Sequence, residues 1–385
     1  MYLHLIAFDI PWPPTYGGVI EVYYKMQALR EAGVRIILHT FLYQREPAVA
    51  LEALCESVHY YQLKKPLQSL PVRYPHIVKS RAVEELLQRL LADDHPILFE
   101  GLHTTFYLSH PELEDRIKLV RMHNIEWEYY YQLAQREPNY LRKQYYLAES
   151  RQLQFWEDTL PFADRILTIS PKDTTYYEQK FDQVAYLPAF HAHRKVTSRT
   201  GSGQFCLYHG NLAVAENVEA ALFLIKEVFS FLEYELIIAG SSPRTDLIQA
   251  VQQHDHINLR PDPGESEMTE LLHDAHIHVL PTFQATGIKL KLINSLFTGR
   301  WVMVNAPMIN QTGLEFSTVI ANEAETWIAQ INQLAQQPFT DIEIAQRTAT
   351  LNRNFDNARN AERIIDLIYE VRGPAAEIGD GDSGR

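Results

Sequence analysis

Residues 281–304 read PTFQATGIKLKLINSLFTGRWVMV, and the stretch passes from the exit of one apolar strand, through a helix, into the next strand. Gly287 opens the helix, Leu290, Ile293 and Phe297 recur at helical spacing to bury one side, and Gly299 ends it before WVMVN. Lys289 and Lys291 fall in the first turn, where exposed amide N–H groups and the positive end of the macrodipole disfavour cations. A diphosphate over that helix start would be the compensating anion. The two lysines are two positions apart and point in different directions, so one of them faces such a ligand. The alternative is a pair of solvated surface lysines.

Working outward, the same alternation recurs on both sides. Upstream come QFCLYHG (204–210), NVEAALFLIKEVFSFL (217–232), YELIIAG (234–240), SPRTDLIQAVQQH (242–254), INLRP (257–261), ESEMTELLHDA (265–275) and HIHVLP (276–281), read as strand and helix in turn. The first half opens with YLHLIAFDI, the loop PWPPTYGG (11–18), a helix VIEVYYKMQALREAG stopped by Gly33, and the strand VRIILHTFL. PILFEG, IKLVRMH and RILTIS follow as further buried strands, with SRAVEELLQRLLA and YLRKQYYLAESRQLQFWEDTL as helices between them. Strands apolar on both faces that alternate with helices predict parallel sheets covered on both sides.

Between the halves, PAFHAHRKVTSRTGSG (188–203) loses periodicity and gathers Pro, Gly, Ser and basic residues, which reads as a linker. A length of 385 residues also favours two domains over one enlarged core. The expected organisation is an N-terminal domain over 1–190, a linker over 191–203, and a second domain over 204–350. A last helix (358–372) carries Ile364, Ile365 and Ile368 on one face, and a polar tail (374–385) is expected to be disordered.

Composition is that of a globular protein, 46% hydrophobic and 22% charged, and a net charge of -13 argues against a general nucleic-acid binder. Cys55 and Cys206 are the only cysteines, so neither a disulfide framework nor a cysteine-rich zinc site is available. The N-terminal residues lack a basic leader, and no apolar run approaches the roughly 20 residues that span a bilayer. A cytoplasmic protein is expected, with peripheral membrane contact left open and no transmembrane segment.

In doubly wound sheets ligands bind beyond the carboxyl ends of the strands, so the loops there hold the candidates. Gly17 and Gly18 let backbone N–H groups approach a phosphate or sugar, or else serve a strand-to-helix turn that needs positive φ. His103 and His123 each follow a buried strand and can exchange protons near neutral pH, with Glu100, Arg121 and Glu126 near in sequence to orient them. The alternative for each histidine is a structural role. The His-Ala-His of 191–193 and the His-Asp-His of 254–256 read as structural or surface groups, and the Asp-Gly-Asp of 380–382 as solvated, so no metal site is assigned.

The chain from PWPPTYGG to the last helix resembles the GT-B glycosyltransferases of the large retaining family 4. ATGIKLKLINSLFTGRWVMV is similar to that family's donor-site pattern, LYHGNLAVAENVEAALFLI to the start of its second domain, YELIIAGSSP to its second strand, and HDAHIHVLP to the approach to the donor helix. The resemblance implies an α/β fold of two Rossmann-like, doubly wound domains facing each other across a cleft. It implies a nucleotide-diphosphate sugar held mainly by the second domain, a hydroxyl acceptor (glycan, lipid-linked or small molecule) held mainly by the first, and the last helix packing back on the first. By the same resemblance Gly17 and Gly18 border the donor, Gly287 with Lys289 or Lys291 holds the diphosphate, and Gly210 and Asn211 lie on the facing loop. His103 matches a histidine near the transferred sugar, and His123, Asn124 and Glu126 join Glu100 and Arg121 as acceptor-side candidates.

Family members often carry two glutamates spaced E-x7-E, and here those positions read Thr286 and Asn294. An amide at 294 can still bond a ribose hydroxyl but lacks the charge that strengthens such bonds. The activity implied is a metal-independent, retaining glycosyl transfer with no cofactor beyond the nucleotide sugar. A catalytically silent GT-B scaffold and a nucleotide-sugar epimerase are the alternatives.

Overall fold

A computed structural model of the chain describes residues 1–43, 45–64, 74–283, 290–310 and 312–372. Two compact units emerge. The first holds Met1–Ile169, Asp173–Leu187 and the closing helix Asn357–Arg372; the second holds Ser170–Lys172 and Pro188–Asp356. The tail 374–385, with its Asp-Gly-Asp, lies outside the described residues.

The first unit is built on a seven-stranded sheet: β1 (Tyr2–Ile6), β2 (Arg35–Leu42), β3 (Ser57–Gln62), β4 (Ile97–Glu100), β5 (Lys118–Met122), β6 (Arg165–Thr168) and β7 (Val184–Tyr186). Its order is β3-β2-β1-β4-β5-β6-β7 and every pairing is parallel. Five of these strands are legible as apolar runs. The other two, β3 and β7, lie at the sheet edges, where one flank is unpaired and half-exposed positions dilute the apolar signal. Leu3, Leu5, Leu98, Phe99, Leu119 and Val120 are 0% exposed, so the central strands are covered on both faces.

The second unit has β8 (Phe205–His209), β9 (Glu235–Gly240), β10 (Ile257–Pro261), β11 (Ile277–Leu280), β12 (Trp301–Val304) and β13 (Val319–Ile320) in the parallel order β10-β9-β8-β11-β12-β13. Both sheets are therefore doubly wound. The winding reverses between β1 and β4 in one unit and between β8 and β11 in the other, and such a reversal opens a crevice at the strands' carboxyl ends.

The helix of the opening stretch is described from Leu290 to Thr298, and Leu292, Ile293, Leu296 and Phe297 are buried. Residues 191–203 run along the second unit. His191 Nε2 donates to the Phe355 carbonyl at 2.7 Å, the Thr197 amide donates to the Phe297 carbonyl at 2.7 Å, and Gly201 bridges to Phe339. Among the described residues no helix is long and apolar enough to cross a membrane.

Candidate functional site

At the reversal point of the second unit, β8 ends in His209 and the chain turns through Gly210 and Asn211 into the helix Ala215–Phe223. From the helix Leu290–Thr298, Lys291 reaches this loop. Its Nζ donates to Asn217 Oδ1 at 2.5 Å, lies 3.4 Å from the Tyr208 hydroxyl, and stands 5.1 Å from the centre of the Tyr208 ring. A Cβ on Gly210 would come within 3.1 Å of that ammonium and 3.2 Å of Asn217, so glycine leaves the space the lysine occupies. Asn211 shapes the loop, its carbonyl accepting from Asn217 Nδ2 at 2.9 Å and its Oδ1 from the Ala213 amide at 3.0 Å.

A buried polar relay fixes this helix to the sheet. His278 Nε2 donates to the Leu272 carbonyl at 2.8 Å, which leaves Nδ1 to accept the Ser295 hydroxyl at 2.8 Å. Ser295 Oγ then accepts from His209 Nε2 at 3.0 Å. Burial holds both imidazoles neutral, His278 down to about 3 and His209 well below its ordinary value. The relay thus ties β8 and β11 to the helix that carries Lys291. Asn294, one turn beyond Lys291, has its Oδ1 held by His193 Nε2 at 2.7 Å.

In the first unit, Gly17 is the first helical residue and Gly18 the second. Neither has positive φ, so the turn does not require glycine for that reason. Gly18 is required by a close approach instead: a Cβ there would stand 2.6 Å from the tip of Phe8. The Phe8 ring packs on His103 (centroids 5.4 Å) and on His123 (5.3 Å), so the ends of β1, β4 and β5 meet around it. Arg81 pins the same turn, donating from Nη2 to the Phe8 carbonyl at 2.8 Å and from Nη1 to the Ile77 carbonyl at 2.6 Å.

His103 keeps about a fifth of its side chain exposed, and its Nδ1 is buried without a partner among the described residues. Its Nε2 stands 3.9 Å from Glu126 Oε2. Glu126 is raised to about 8, chiefly by burial, and Asn124 hydrogen-bonds it in opposition.

Glu100, Arg121 and His123 sit deeper. With Glu21 and Lys25 they form one buried network: Lys25 Nζ donates to Glu21 at 2.7 Å and to both Glu100 oxygens at 2.7 and 2.8 Å. Arg121 donates to Glu21 at 3.0 Å and to the Leu187 carbonyl at 2.6 Å, and His123 Nε2 to Glu100 at 2.9 Å. Burial acts to raise Glu21, but the adjacent Lys25 and Arg121 outweigh it and hold the carboxyl at about 2. Glu100 and Arg121 are 0% exposed, so they brace the sheet beneath the loops instead of touching a ligand. Glu21, Glu100 and His123 are the one group among the described residues close enough to share a metal ion, and the Lys25 ammonium already bridges its two carboxylates.

No family model matches the chain. A protein of Klebsiella pneumoniae, described as an uncharacterized 44.6 kDa protein in the cps region, is 23% identical over 339 residues, spanning 83% of this chain and 87% of that one. Among solved structures, sucrose-phosphate synthase from Thermosynechococcus elongatus matches with a TM-score of 0.71 at 14% identity, over 97% of this chain and 99% of that one. TarM matches at 0.68 with 9% identity over 95% and 98%, and HepE from Anabaena at 0.66 with 10% identity over 96% and 99%. The fold is GT-B.

Within a GT-B frame, the residues that the sequence singles out divide into three groups. Gly210, Asn211 and Lys291 come together at the reversal point of the second unit, with Asn294 on the same helix. Gly17, Gly18, His103, His123, Asn124 and Glu126 lie about the reversal point of the first, over the braces Glu100 and Arg121. Thr286, Gly287 and Lys289 lie outside the described residues. Sequence reasoning missed Glu21 and Lys25, although their i,i+4 spacing on one helix was a usable signal. It also missed Asn217, Tyr208 and Arg81, whose contacts cross from one element to another and leave no local pattern.

Proposed function

We propose that this GT-B chain is a glycosyltransferase that moves a sugar from a nucleotide-diphosphate donor to a hydroxyl acceptor, with retention at the anomeric carbon and without a metal ion. The observation that carries the reading is Lys291: a half-buried ammonium brought against the bare backbone of Gly210 at a sheet reversal point, where such folds take their ligands. Likeness in shape adds support, since the HepE structure contains UDP and glucose and a structure of Staphylococcus aureus TarM contains UDP.

In a transfer of this kind the diphosphate gains negative charge as the glycosidic bond breaks. A fixed ammonium and the positive end of the helix Leu290–Thr298 would favour that charge more than the ground state, which is the condition for lowering a barrier. Thr286, Gly287 and Lys289 belong to the same stretch and are assigned to the donor with Lys291, Gly210 and Asn211. On the acceptor side, a neutral His103 can take a hydrogen bond from, or give one to, the reacting sugar. The departing phosphate would receive the acceptor's proton. A cytoplasmic location is part of the same proposal.

The test is thermal unfolding in the presence of UDP, GDP and ADP sugars, followed by assay of nucleoside diphosphate release with a hydroxyl acceptor. Stabilisation by one of the three, rising with the logarithm of its concentration, and release of the matching diphosphate are expected. A second reading, a silent GT-B scaffold, is favoured by Asn294, whose carbonyl oxygen is taken up by His193. Stabilisation with no diphosphate release would select it, and stabilisation by none of the three would reject donor binding.

A further inference from the structure

The first unit holds a cavity of about 990 Å3 at the carboxyl edge of β1 and β2, between the loop that leads into the helix Gly17–Glu31 and the segment after β2. Three aromatic rings line it: Trp12, Tyr16 and Tyr43. Tyr16 and Tyr43 are 43% and 65% exposed, a large display of aromatic surface on two neighbouring loops. Trp12 is braced from behind by Tyr23 of that helix, ring centres 5.2 Å apart, so its orientation is set in advance. Rings fixed in this way present flat apolar faces with polar tips at their rims.

The charged groups decide what those faces accept. Asp9, Arg45 and Glu46 line the same space. Arg45 is largely committed to the loop itself: Nη1 donates to the Pro13 carbonyl at 2.5 Å, Nη2 to Thr15 Oγ1 at 2.5 Å, Nε lies 3.6 Å from Asp9, and the guanidinium stands 5.1 Å from the Tyr16 ring centre. Asp9 is likewise held, accepting from the Tyr16 hydroxyl and the Ile10 amide at 2.8 Å each. Arg45 and Asp9 cancel, and the exposed Glu46 leaves the lining with one negative charge. An anionic ligand would find a carboxylate and no uncommitted guanidinium.

We propose that this cavity binds pyranose rings of an uncharged glycan, which is the acceptor of the transfer proposed above and rests on that reading. The axial C–H faces of the sugar lie on Trp12 and Tyr43, and Glu46 accepts hydrogen bonds from its hydroxyls. Glycans that carry carboxylates are disfavoured by Glu46.

The experiment is calorimetric titration of the full chain with cellohexaose and maltohexaose, which are neutral, and with hexagalacturonate, which is anionic. A neutral hexamer is expected to bind and hexagalacturonate to bind at least tenfold more weakly. Tyr43→Ala, at an exposed position, and Trp12→Ala should each weaken the neutral hexamer by about tenfold or more, as aromatic anchors do. Glu46→Lys should improve hexagalacturonate. Binding of hexagalacturonate as tight as that of the neutral hexamers, no binding of any of the three, or unchanged affinity in both aromatic variants would overturn the assignment. Donor binding is read separately from the nucleotide melts: glycan bound at Trp12 and Tyr43 with no nucleotide stabilisation would leave the cavity's ligand class standing and reject glycosyl transfer.

Discussion

His103 Nε2 and Glu126 Oε2 stand 3.9 Å apart, yet they do not form an ion pair at neutral pH. Burial lowers His103 well below its ordinary value, and the nearby Arg81 and His123 add to the effect. Burial raises Glu126 to about 8. At pH 7 an uncharged imidazole therefore faces a protonated carboxyl, and the pair keeps a proton to give and a lone pair to receive one.

This pairing fixes a pH dependence for Glu126. The native carboxyl retains a proton that the unfolded chain releases above about 4.5, so stability is lost as pH rises from there to about 8 and levels off beyond it. Glu126→Gln mimics the protonated form. Its stability relative to wild type should rise between pH 5.5 and 8, by an amount on the order of a few kcal/mol. Urea unfolding of both chains at the two pH values reads the difference, and a gap that does not change with pH would exclude a raised Glu126.

The buried histidines work in the opposite direction. His278 is lowered to about 3 and His191 to about 4, in both cases first by burial. The unfolded chain takes up protons near 6.5 that the native state refuses, so the stability these groups provide is complete above that value and is lost as pH falls toward 4. Loss of one such site should flatten the stability profile by up to about 1.4 kcal/mol per pH unit across this window. Denaturation of His278→Asn from pH 7 to pH 4.5 measures the slope, and a slope equal to wild type would contradict neutral burial of His278.

Lys291 is the residue on which donor binding turns. Lys291→Ala should weaken binding of the stabilising nucleotide at least tenfold, because an ammonium–phosphate bond is among the stronger hydrogen bonds. Lys289→Ala is expected to differ sharply from it. Thermal shift titrations of both variants with the nucleotide diphosphate suffice. Equal and negligible effects would remove the diphosphate from this helix start.

The network beneath the first site should be intolerant of partial removal. Lys25→Met leaves Glu21 to Arg121 and Glu100 to His123, and neither carboxylate can turn to water because both are 0% exposed. Breaking a buried pair in this way typically costs about 3–5 kcal/mol. Equilibrium unfolding of Lys25→Met at pH 7 is the measurement, and a loss below about 1 kcal/mol would mean that the carboxylates find other partners.

Position in the sequence decided the architecture of this protein. Runs such as IILHTF, ILFE and LIIAG are apolar on both faces, and each is separated from the next by helical spacing, which only parallel sheets covered on both sides accommodate. The two edge strands of the first sheet were not legible because Ser57–Gln62 carries polar residues, Val184–Tyr186 is three residues long, and both are largely half-buried. Of the candidate site, the sequence marked the strand-end loops and therefore Gly210, Lys291, His103 and Glu126, since carboxyl ends of strands follow directly from strand order.

Only tertiary structure assigned those residues their partners. Gly18 is explained by Phe8, Gly210 by Lys291 and Asn217, and Glu100 and Arg121 turn inward to Lys25 and Glu21. Each of these relationships joins segments far apart in the chain, and local spacing carries no record of them. Whether a strand-end carboxyl meets a ligand or a buried lysine depends on what the next element folds against it, and that is settled by packing.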